Sequence, residues 1–556
     1  MSFACPVRDQ RLVLEHIVGI TGLGVELDTV DAVLEGAAAF AEGQFAPLDR
    51  IGDTVGARWN AGAVTMPAGY KAAYAAFVEG GWMTLAAPLE HGGQGLPLSL
   101  AAAMMEDLQA ANTGFAMLPV LSLGAVEALE AHGSDELKDG YLARIVSGEW
   151  PATMNLTEPQ AGSDVGALKT KAERAGVEGG GGGGSWRISG TKIFITYGEH
   201  DLTANTIHLV LARTPDAPAG TRGISLFLVP KILPDGSRND VVCTSIEHKL
   251  GIHASPTCVM NYGEQGGAIG WLVGDLHGGM TAMFTMMNNA RLNVGLQGVG
   301  IAERATQRAV AFALERKQGS RDGAAVAIAE HPDVRRMLLR MRALTMGARA
   351  LTYGAFGALD RGEKDRAAVL TPLAKAWATD VGCEVASLGV QVHGGMGYIE
   401  ETGAAQHLRD ARIAPIYEGT NGIQAADLVT RKLTLGNGAA LDDLIADIRA
   451  EAAAPALVAL TDAVEVLIAS LRAAEPDDRL AGSYPFLTMN AVLVAGWQLE
   501  RLDRVLAAGE GDAFSAGRRA AIAFFLGSVV PEALGLGAAA GQGAALLYRA
   551  PAEALG

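Results

Sequence analysis

The feature that most constrains the fold of this chain is a strand-rich stretch, at about 155–275, that lies between two long helical stretches. Within it, the segments WRISGTKIFIT, TIHLVLART and GISLFLVPK are short, rich in β-branched or aromatic residues, and separated by turn residues. The flanking stretches carry apolar residues at helical spacing. This order lacks the alternation of strands and helices in a dinucleotide-binding fold, and no GxGxxG follows a first strand.

The chain has 556 residues, which is too long for one compact core. Its pattern of helix-forming and strand-forming residues changes three times along the sequence. We therefore expect an α+β protein with an N-terminal helical domain at 1–154 and a central β-barrel-like domain at 155–277. A C-terminal helical bundle at 278–436 and an extra C-terminal helical domain at 437–556 complete it. Two apolar stripes in the last region are predicted to be core, namely Leu457, Leu460, Val464, Leu467 and Leu471, and Ala495, Leu499, Leu502 and Leu506.

Composition narrows the classes of function. Hydrophobic residues make up 49% of the chain and charged residues 19%, as in a well-buried globular protein. The formal net charge of −17 disfavours nonspecific nucleic-acid binding, although local cations still permit an anionic ligand. Four scattered cysteines without a CxxC pair favour reduced thiols, and the N-terminus does not resemble a signal peptide. We therefore expect a cytoplasmic protein.

Two conspicuous segments are explained more simply by structure than by function. Six consecutive glycines at 179–184 are not followed by Lys-Ser/Thr, so a hairpin tip is favoured over a phosphate cradle. The apolar stretch at 520–531 is shorter than the roughly 20 residues of a membrane span. It predicts a buried helix, and membrane attachment is not expected.

Three polar segments carry the functional interpretation. They are MNLTEPQAGSD at 154–164, QVHGGMGY at 391–398 and IYEGTNGIQ at 416–424. Taken alone, the glutamate of the third segment would be a solvated carboxylate at the start of a helix. Taken together and in this order, the three segments resemble the acyl-CoA dehydrogenase family. The length and the ending YEGTNGIQAADLVTRKL resemble its long bacterial branch, which carries an extra C-terminal helical domain and includes 3-(methylthio)propanoyl-CoA dehydrogenases.

The resemblance implies a bound FAD and residues that bind it. Thr157 and neighbouring backbone amides would bind the pyrimidine side of the isoalloxazine ring. Phe194 would cover one face of the flavin, and the Thr196 hydroxyl would donate to flavin N5. The resemblance further implies cofactor contacts by Met154, Leu156, Gly162, Ser163, Gln391, Gly394, Gly395, Thr420 and Asn421.

The resemblance also implies a homodimer or homotetramer. In this family the glycines of QVHGGMGY let the backbone approach the adenosine diphosphate part of a neighbouring subunit's FAD, where a side chain would clash. Arg316 would reach the partner's pyrophosphate with its fork of donors. A monomer would then have an incomplete flavin site.

Glu418 matches the base of the family's reaction. It would remove the α-proton of an acyl-CoA thioester while two electrons leave the β-carbon for the flavin, which gives the trans-2-enoyl-CoA. A carboxyl group is a weak base at its ordinary pKa, so burial is expected to raise that pKa. The thioester carbonyl would accept a hydrogen bond from the Glu418 backbone N–H. Substrate contacts are expected from Ser163, Asn288, Arg291 and Gly419, with Arg291 open to a second interpretation as a helix cation paired with an acid.

Alternatives to a dehydrogenase remain open at this point. The same fold supports an acyl-CoA oxidase or a flavin monooxygenase, in which oxygen rather than electron-transfer flavoprotein accepts the electrons. A non-catalytic acyl-CoA or flavin binding protein is disfavoured because Glu418 is present. A short sulfur-containing chain and a straight fatty chain both fit as the acyl group. No HExxH or comparable spacing is found, so no metal is assigned.

Overall fold

A computed structural model describes residues 3–175, 184–509 and 511–556. Residues 179–183 of the predicted glycine hairpin tip lie outside the described residues. The predicted α+β architecture is confirmed, with helices before and after a β-rich middle.

Helices come before and after the main sheet in the sequence. Those before it are α1 (Val7–Val13), α2 (Leu27–Phe40), α3 (Asp49–Val55), α4 (Tyr70–Glu79), α5 (Leu98–Ala111), α6 (Thr113–His132), α7 (Asp135–Leu137) and α8 (Ala143–Val146). Those after it are α9 (Gly279–Glu315), α10 (Pro332–Asp360), α11 (Lys364–His393), α12 (Ala404–Ala411), α13 (Asn421–Asp427), α14 (Ala439–Glu451), α15 (Pro455–Ala473), α16 (Pro476–Ala481), α17 (Ser483–Ala508), α18 (Ala513–Phe524), α19 (Val530–Leu534) and α20 (Gly537–Ala540).

The main sheet has eight strands and curls on itself. The strands of the chain are β1 (Arg58–Asn60), β2 (Ala63–Thr65), β3 (Ala152–Asn155), β4 (Lys171–Arg174), β5 (Trp186–Thr196), β6 (Ile207–Arg213), β7 (Ile224–Pro230), β8 (Val241–Ile246), β9 (Thr257–Tyr262), β10 (Ala268–Val273), β11 (Lys317–Arg321) and β12 (Ala324–Ala327). The order in the sheet is β10-β7-β6-β4-β5-β9-β8, with β3 beside β6. Because β10 also pairs with β5, the strands β10, β7, β6, β4 and β5 form a closed ring, as expected for a barrel-like domain.

The chain divides into two compact units. One contains Ala39–Leu96 and Ala111–Ala290, and therefore the main sheet. The other contains Met1–Ala38, Pro97–Ala110 and Arg291–Gly556, and therefore most of the long helices and the whole C-terminal region. The four-domain division drawn from the sequence stays a prediction.

The unit that holds the sheet has its core between helix α6 and the inward side of the strands. Strands β6 and β7 pair in antiparallel fashion from Ile207↔Pro230 to Arg213↔Ile224. Both strands have a neighbour on each side in the sheet and are buried along almost their whole length. Apolar residues from α6, β6 and β7 meet there, among them Leu121, Leu129, Leu209 and Leu226. Burial of this kind is the main favourable term in folding.

A buried ionic cluster joins three helices of the helical unit. The guanidinium of Arg349 in α10 is 1% exposed and donates to Glu106 of α5 at 2.7 Å and to Glu303 of α9 at 2.9 Å. Tyr353 donates to the same Glu106 carboxylate at 2.7 Å. Such a cluster specifies how three helices pack, because removing one partner would leave an unpaired buried charge.

The C-terminal region packs as the two apolar stripes predict. Every residue of both stripes is buried, in α15 and in α17. The helical stretches Thr113–His132 and Ala513–Leu534 are long and apolar enough, by length and composition alone, to cross a membrane. The first is mostly buried, whereas the second buries one face only, where Phe525 meets Trp377 edge-on at 6.1 Å between ring centres. The expectation of a buried helix at 520–531 is therefore correct for that face alone.

Candidate active site

Glu418 lies on a short loop between α12 and α13, in a backbone conformation that few residues adopt. Its φ is +54°, and that of Gly419 is +80°. A non-glycine residue in this left-handed region costs roughly 1–2 kcal/mol. At Gly419 a Cβ would also lie 2.8 Å from Nε2 of Gln424, so the end of the Gln424 side chain would have to shift. Strain of this kind clusters at functional sites, where the surrounding structure enforces it.

Several hydrogen bonds hold the loop in that conformation. The Tyr417 hydroxyl donates to Oε1 of Gln297 in α9. Nε2 of Gln424 faces the carbonyl oxygens of Glu418 and Gly419, each at 3.4 Å. The backbone N–H of Asn421 donates to the carbonyl of Pro415 at 2.9 Å. The loop is therefore a closed turn that is tied to α9 and α13.

The predicted contacts of Thr420 and Asn421 are made inside the helical unit. The Thr420 hydroxyl accepts the backbone N–H of Ile423 at 3.1 Å and so caps the start of α13. The Asn421 side chain is 3% exposed and bonds to Lys375 and Asp380 of α11, both at 2.9 Å. Both side chains thus have structural partners, and a cofactor role for them stays a prediction.

The carboxyl group of Glu418 has the electrostatics of a base. Burial raises its pKa to about 7, even though the charges of Arg291 and Lys375 act to lower it. Within the described part of the chain, no hydrogen bond ends on this carboxylate. Charged and neutral forms are therefore close in free energy near neutral pH, where a general base works best.

Two buried cations face the base from different helices. Arg291 of α9 is 6% exposed, and its Nε lies 3.4 Å from the backbone carbonyl oxygen of Glu418. Burial lowers the pKa of the Arg291 guanidinium, and the charges of Asp427 and Glu418 offset only part of that change. Lys375 of α11 is fully buried, and burial lowers its pKa to about 7 against the opposing charges of Glu418 and Asp380. The sequence did not indicate Lys375, because a lysine in a helix is ordinarily solvated.

The substrate-contact prediction for Asn288 falls on an exposed residue of α9. Its neighbour Asn289 is buried instead and donates to Oε1 of Glu127 in α6 at 2.6 Å. Burial raises the pKa of Glu127 to about 7. No motif points to Glu127 in the sequence, because it stands in an apolar helix.

In the unit that holds the sheet, the segment after β3 is fixed by a buried ion pair. Nζ of Lys192 donates to Oε1 of Glu158 at 2.8 Å and to the carbonyl of Leu156 at 2.9 Å. The Glu158 carboxylate also accepts from Lys169 N at 2.6 Å and from the Thr170 N–H and hydroxyl at 3.0 and 2.6 Å. Burial acts to raise the pKa of Glu158, but Lys192 and these donors lower it to about 2. The backbone around Thr157 is therefore rigid, and the sequence motifs did not reveal the pair that makes it so.

Phe194 is an exposed aromatic residue of the unit that holds the sheet. It lies on β5 where the pairing with β9 shifts between Lys192 and Ile195, its φ is +61°, and 57% of it is exposed. Thr196 follows two residues later, at the end of the same strand, paired with Thr257 of β9. A strained backbone that presents a bare aromatic ring is suited to cover a flat ligand.

The other predicted flavin contacts of this unit lie near the same segment. Met154 is half-buried at the edge strand β3, and Leu156 is half-buried just after it. Gly162 and Ser163 are exposed on the following turn, and no atom lies within 4 Å of the position of a Gly162 Cβ. The structure thus leaves Gly162 and Ser163 accessible, whereas the Leu156 carbonyl is already bonded to Lys192.

The QVHGGMGY segment ends α11 in the helical unit. Gln391 is exposed, and Gly394 has a φ of +58°, so its backbone favours glycine. No atom of the described chain lies within 4 Å of a Cβ at Gly394 or Gly395. Within one chain, then, space does not require these glycines. Arg316 follows the end of α9 and is exposed.

A cavity of about 210 Å³ lies beside the QVHGGMGY segment. It is lined by the cations Arg304 and Arg308, by His393, and by Thr402, whose buried hydroxyl has no hydrogen-bond partner in the described residues. Two cations and an unsatisfied hydroxyl form a donor set that suits an anion such as a pyrophosphate. This donor set fits the pyrophosphate of a dinucleotide flavin.

Comparison with known proteins decides the family. The chain matches the acyl-CoA dehydrogenase N-terminal, middle and C-terminal domain models at 28–149, 153–263 and 277–433. Residues 436–551 match the model described as acetyl-CoA dehydrogenase C-terminal like. The chain belongs to the acyl-CoA dehydrogenase family.

Its relatives span almost the whole length. It is 47% identical over 545 residues to the 3-methylmercaptopropionyl-CoA dehydrogenase of Ruegeria pomeroyi, covering 90% of each chain. It is 32% identical to the broad-specificity linear acyl-CoA dehydrogenase FadE5 of Mycobacterium tuberculosis, covering 94% of this chain and 95% of the relative. A structure solved in work on the electron transferring flavoprotein of Acidaminococcus fermentans has a TM-score of 0.62 and 27% identity, covering 72% and 98%.

Membership confirms four of the predictions made from sequence. This acyl-CoA dehydrogenase is an oxidoreductase, its substrates are acyl-CoA thioesters, and its cofactor is FAD. The recognition of the long branch with an extra C-terminal domain is confirmed as well.

Proposed function

We propose that Glu418 removes the α-proton of a short-chain acyl-CoA, and that the substrate is 3-methylmercaptopropionyl-CoA. The substrate proposal is supported by 47% identity across nine-tenths of the chain to the Ruegeria pomeroyi enzyme of that name. The single observation that carries the base is the half-buried Glu418 carboxyl in a strained turn, whose pKa burial raises to about 7.

The chain's own groups account for the proton. When the α-C–H bond breaks, the proton moves to a carboxylate oxygen of Glu418 and the electron pair forms the α,β double bond. When bound, FAD would supply the two-electron acceptor for the hydride that leaves the β-carbon. Arg291 and Lys375 keep a fraction of Glu418 ionised at neutral pH, because their charges oppose the effect of burial.

The enolate that develops needs a donor at the thioester oxygen. The backbone N–H of Glu418 donates no hydrogen bond within the described part of the chain, and it lies in a left-handed turn. We assign this N–H to the thioester carbonyl. Gly419, Asn288, Arg291 and Ser163 are the further residues proposed to contact the CoA ester.

The residues proposed to contact FAD are those that the family resemblance implies. Thr157, Thr196 and the amides around Met154, Leu156, Gly162 and Ser163 are proposed to bind the flavin, and Phe194 to cover it. The residues proposed for the adenosine diphosphate part are Gln391, Gly394, Gly395 and Arg316, together with Thr420 and Asn421 at the base loop. Open space at the Cβ positions of Gly394 and Gly395 within the described residues supports a role toward another subunit, so we propose a homodimer or homotetramer.

A second substrate class has its own support. The relative FadE5 is described as a broad-specificity linear acyl-CoA dehydrogenase, so straight-chain acyl-CoA thioesters are the alternative to 3-methylmercaptopropionyl-CoA. We propose an electron-transfer flavoprotein as acceptor and a cytoplasmic location. Rapid aerobic reoxidation of the reduced, product-bound enzyme would instead favour an oxidase.

The test is an anaerobic titration of the holoenzyme with a panel of acyl-CoA thioesters, following flavin absorbance. Glu418→Gln keeps the size of the side chain and removes the base, so flavin bleaching is expected to slow about 10²- to 10⁴-fold. The exposed Glu401→Gln is the matched control and is expected to bleach like wild type. Equal bleaching by wild type and Glu418→Gln would overturn the base, and the thioester that bleaches fastest identifies the substrate class.

A further inference from the structure

The C-terminal helical region reaches the base loop through polar side chains. Tyr484 stands in the first turn of α17, and its hydroxyl donates to Oδ2 of Asp380 at 2.6 Å. The other oxygen of Asp380 accepts from Nδ2 of Asn421 at 2.9 Å. Asn421 begins α13, directly after the turn that carries Glu418. Two side chains therefore link a residue at 437–556 to the segment that holds the base.

The amide of Asn421 has only one orientation that satisfies its neighbours. Lys375 Nζ donates to its Oδ1 at 2.9 Å, and an ammonium group can only donate. The Asp380 carboxylate, when ionised, can only accept, so it takes the amide nitrogen. The backbone carbonyl of Ala376 also accepts from Nδ2, at 2.9 Å. Asn421 is 3% exposed and Lys375 fully buried, so water does not compete for these bonds.

The position of Asn421 controls the position of Glu418. The backbone N–H of Asn421 closes the turn onto Pro415 at 2.9 Å, with Glu418 inside that turn at a φ of +54°. A strained residue keeps its conformation only where neighbouring contacts enforce it. Loosening the Asn421 anchor on α11 would therefore let Glu418 relax from the strained turn.

The same groups are linked by charge. The charge of Lys375 acts to lower the pKa of Glu418, and the charge of Asp380 acts to raise that of Lys375. Burial raises the pKa of Asp380, and the hydrogen bonds from Tyr484 and Asn421 oppose that rise. Other charged and titratable groups also surround Glu418, Lys375 and Asp380. They are Arg291 of α9, Cys383 of α11, Arg412 after α12, Asp427 at the end of α13 and Arg431 beyond it.

We propose that Tyr484 is a positioning residue for the base, acting through Asp380 and Asn421, so that the C-terminal helical region takes part in proton abstraction. The proposal rests on the proposed role of Glu418 as base. A contact that merely docks α17 on α11 would need no ordered path into the turn. Here each donor meets an acceptor along the whole way from the Tyr484 hydroxyl to the Lys375 ammonium.

The test compares full-length holoenzymes by anaerobic flavin reduction with 3-methylmercaptopropionyl-CoA across the pH range. Tyr484→Phe removes one hydroxyl from a half-exposed residue, so the fold is expected to survive. Without that donor the pKa of Asp380 rises, which weakens its support of the Lys375 charge and so raises the pKa of Glu418. The midpoint of the rising limb is expected to move up by roughly half a pH unit. Below the midpoint the rate then falls about threefold, with KM within about twofold of wild type.

Two further variants show whether a shift in Tyr484→Phe is specific to the network. Tyr548→Phe removes a hydroxyl from a tyrosine that is 74% exposed, and its pH profile is expected to match wild type. Asp380→Asn is expected to shift the midpoint in the same direction as Tyr484→Phe. Because the two residues form one network, their effects are expected to be non-additive in the double variant.

An unshifted midpoint in Tyr484→Phe overturns the proposal, and so does an equal loss of rate at every pH, which indicates a structural contact only. In either case a slowed Glu418→Gln still supports the base. Unimpaired reduction by Glu418→Gln instead removes the base itself, and this proposal with it.

Discussion

The two units each bury a glutamate near a lysine, and the two pairs behave in opposite ways. Glu158 and Lys192 touch at 2.8 Å, and further donors from Lys169 and Thr170 surround the carboxylate, so the pKa of Glu158 falls to about 2 despite burial. Glu418 is half-buried near a lysine, but no hydrogen bond from the described residues ends on its carboxylate, and its pKa rises to about 7.

The difference lies in hydrogen bonding rather than in residue type. A carboxylate that accepts several bonds stays ionised and serves the structure, whereas one that only senses charges at a distance stays ready to take a proton. Lysine follows the same rule, since burial lowers the pKa of Lys192 to about 8 and that of Lys375 to about 7. The Glu158–Lys192 pair, which is ionised at neutral pH, fixes the backbone beside Thr157, and the titratable Glu418–Lys375 pair supplies the chemistry.

The largest expected effect comes from breaking the structural pair. Lys192→Met leaves the buried Glu158 carboxylate without its cation, which is expected to cost about 3–5 kcal/mol of unfolding free energy. Thermal and urea unfolding of the holoenzyme measure the loss. Lys171→Met, at an exposed position on β4, is the control and is expected to stay within about 0.5 kcal/mol of wild type. Equal stability of the two variants would show that the ion pair is not structural.

The second expectation is that the two glutamates respond to pH with opposite sign. The folded-state pKa of Glu158 is lowered, so its contribution is present above its ordinary pKa and is lost as the pH falls toward 2. The folded-state pKa of Glu418 is raised, so its carboxyl weakens the fold increasingly as the pH rises from its ordinary value toward 7.

Melting temperatures of Glu158→Gln and Glu418→Gln between pH 4 and 8 check this sign. Relative to wild type, Glu158→Gln is expected to be destabilised most at the upper end of the range. Glu418→Gln is expected to gain stability there, by a few degrees. Parallel curves for the two variants would show that the environments do not differ as described.

The smallest expected effect comes from removing the cation beside the base. Lys375→Met takes away a charge that acts to lower the pKa of Glu418, so the midpoint of flavin reduction against pH is expected to rise by about one unit. Lys364→Met, at the exposed start of α11, is the control and leaves the midpoint unchanged. A midpoint that moves downward would mean that Lys375 does not act on Glu418 through its charge.

The strands were predictable from sequence where the pattern is local. WRISGTKIFIT coincides with β5, because β-branched and aromatic residues in a short run favour a pleated, half-buried strand. The hairpin of β11 and β12 was missed, since its exposed residues KQGSR carry no apolar alternation. The motif around Glu418 was recognised because it resembles the family's pattern together with two other segments, and the φ of +80° at Gly419 explains the glycine in it.

The surroundings of the site were not predictable, because they are made by residues distant in sequence. Lys192 occupies a buried position on β5, and Lys375 one on α11, where sequence patterns place lysine in solvent. Gln297, Asp380 and Tyr484 come from three different helical segments, and no local rule brings them together. The roles assigned to the flavin-contact residues and the domain boundaries remain predictions.

The most direct test of the central claim is the pH dependence of anaerobic flavin reduction in the wild-type holoenzyme at saturating 3-methylmercaptopropionyl-CoA. Glu418 with its pKa raised to about 7 predicts that the rate rises with pH through a midpoint near that value, and that Glu418→Gln loses this limb. A rate that is already at its plateau at pH 5, or a limb that survives in Glu418→Gln, would contradict the assignment of a buried, titratable base.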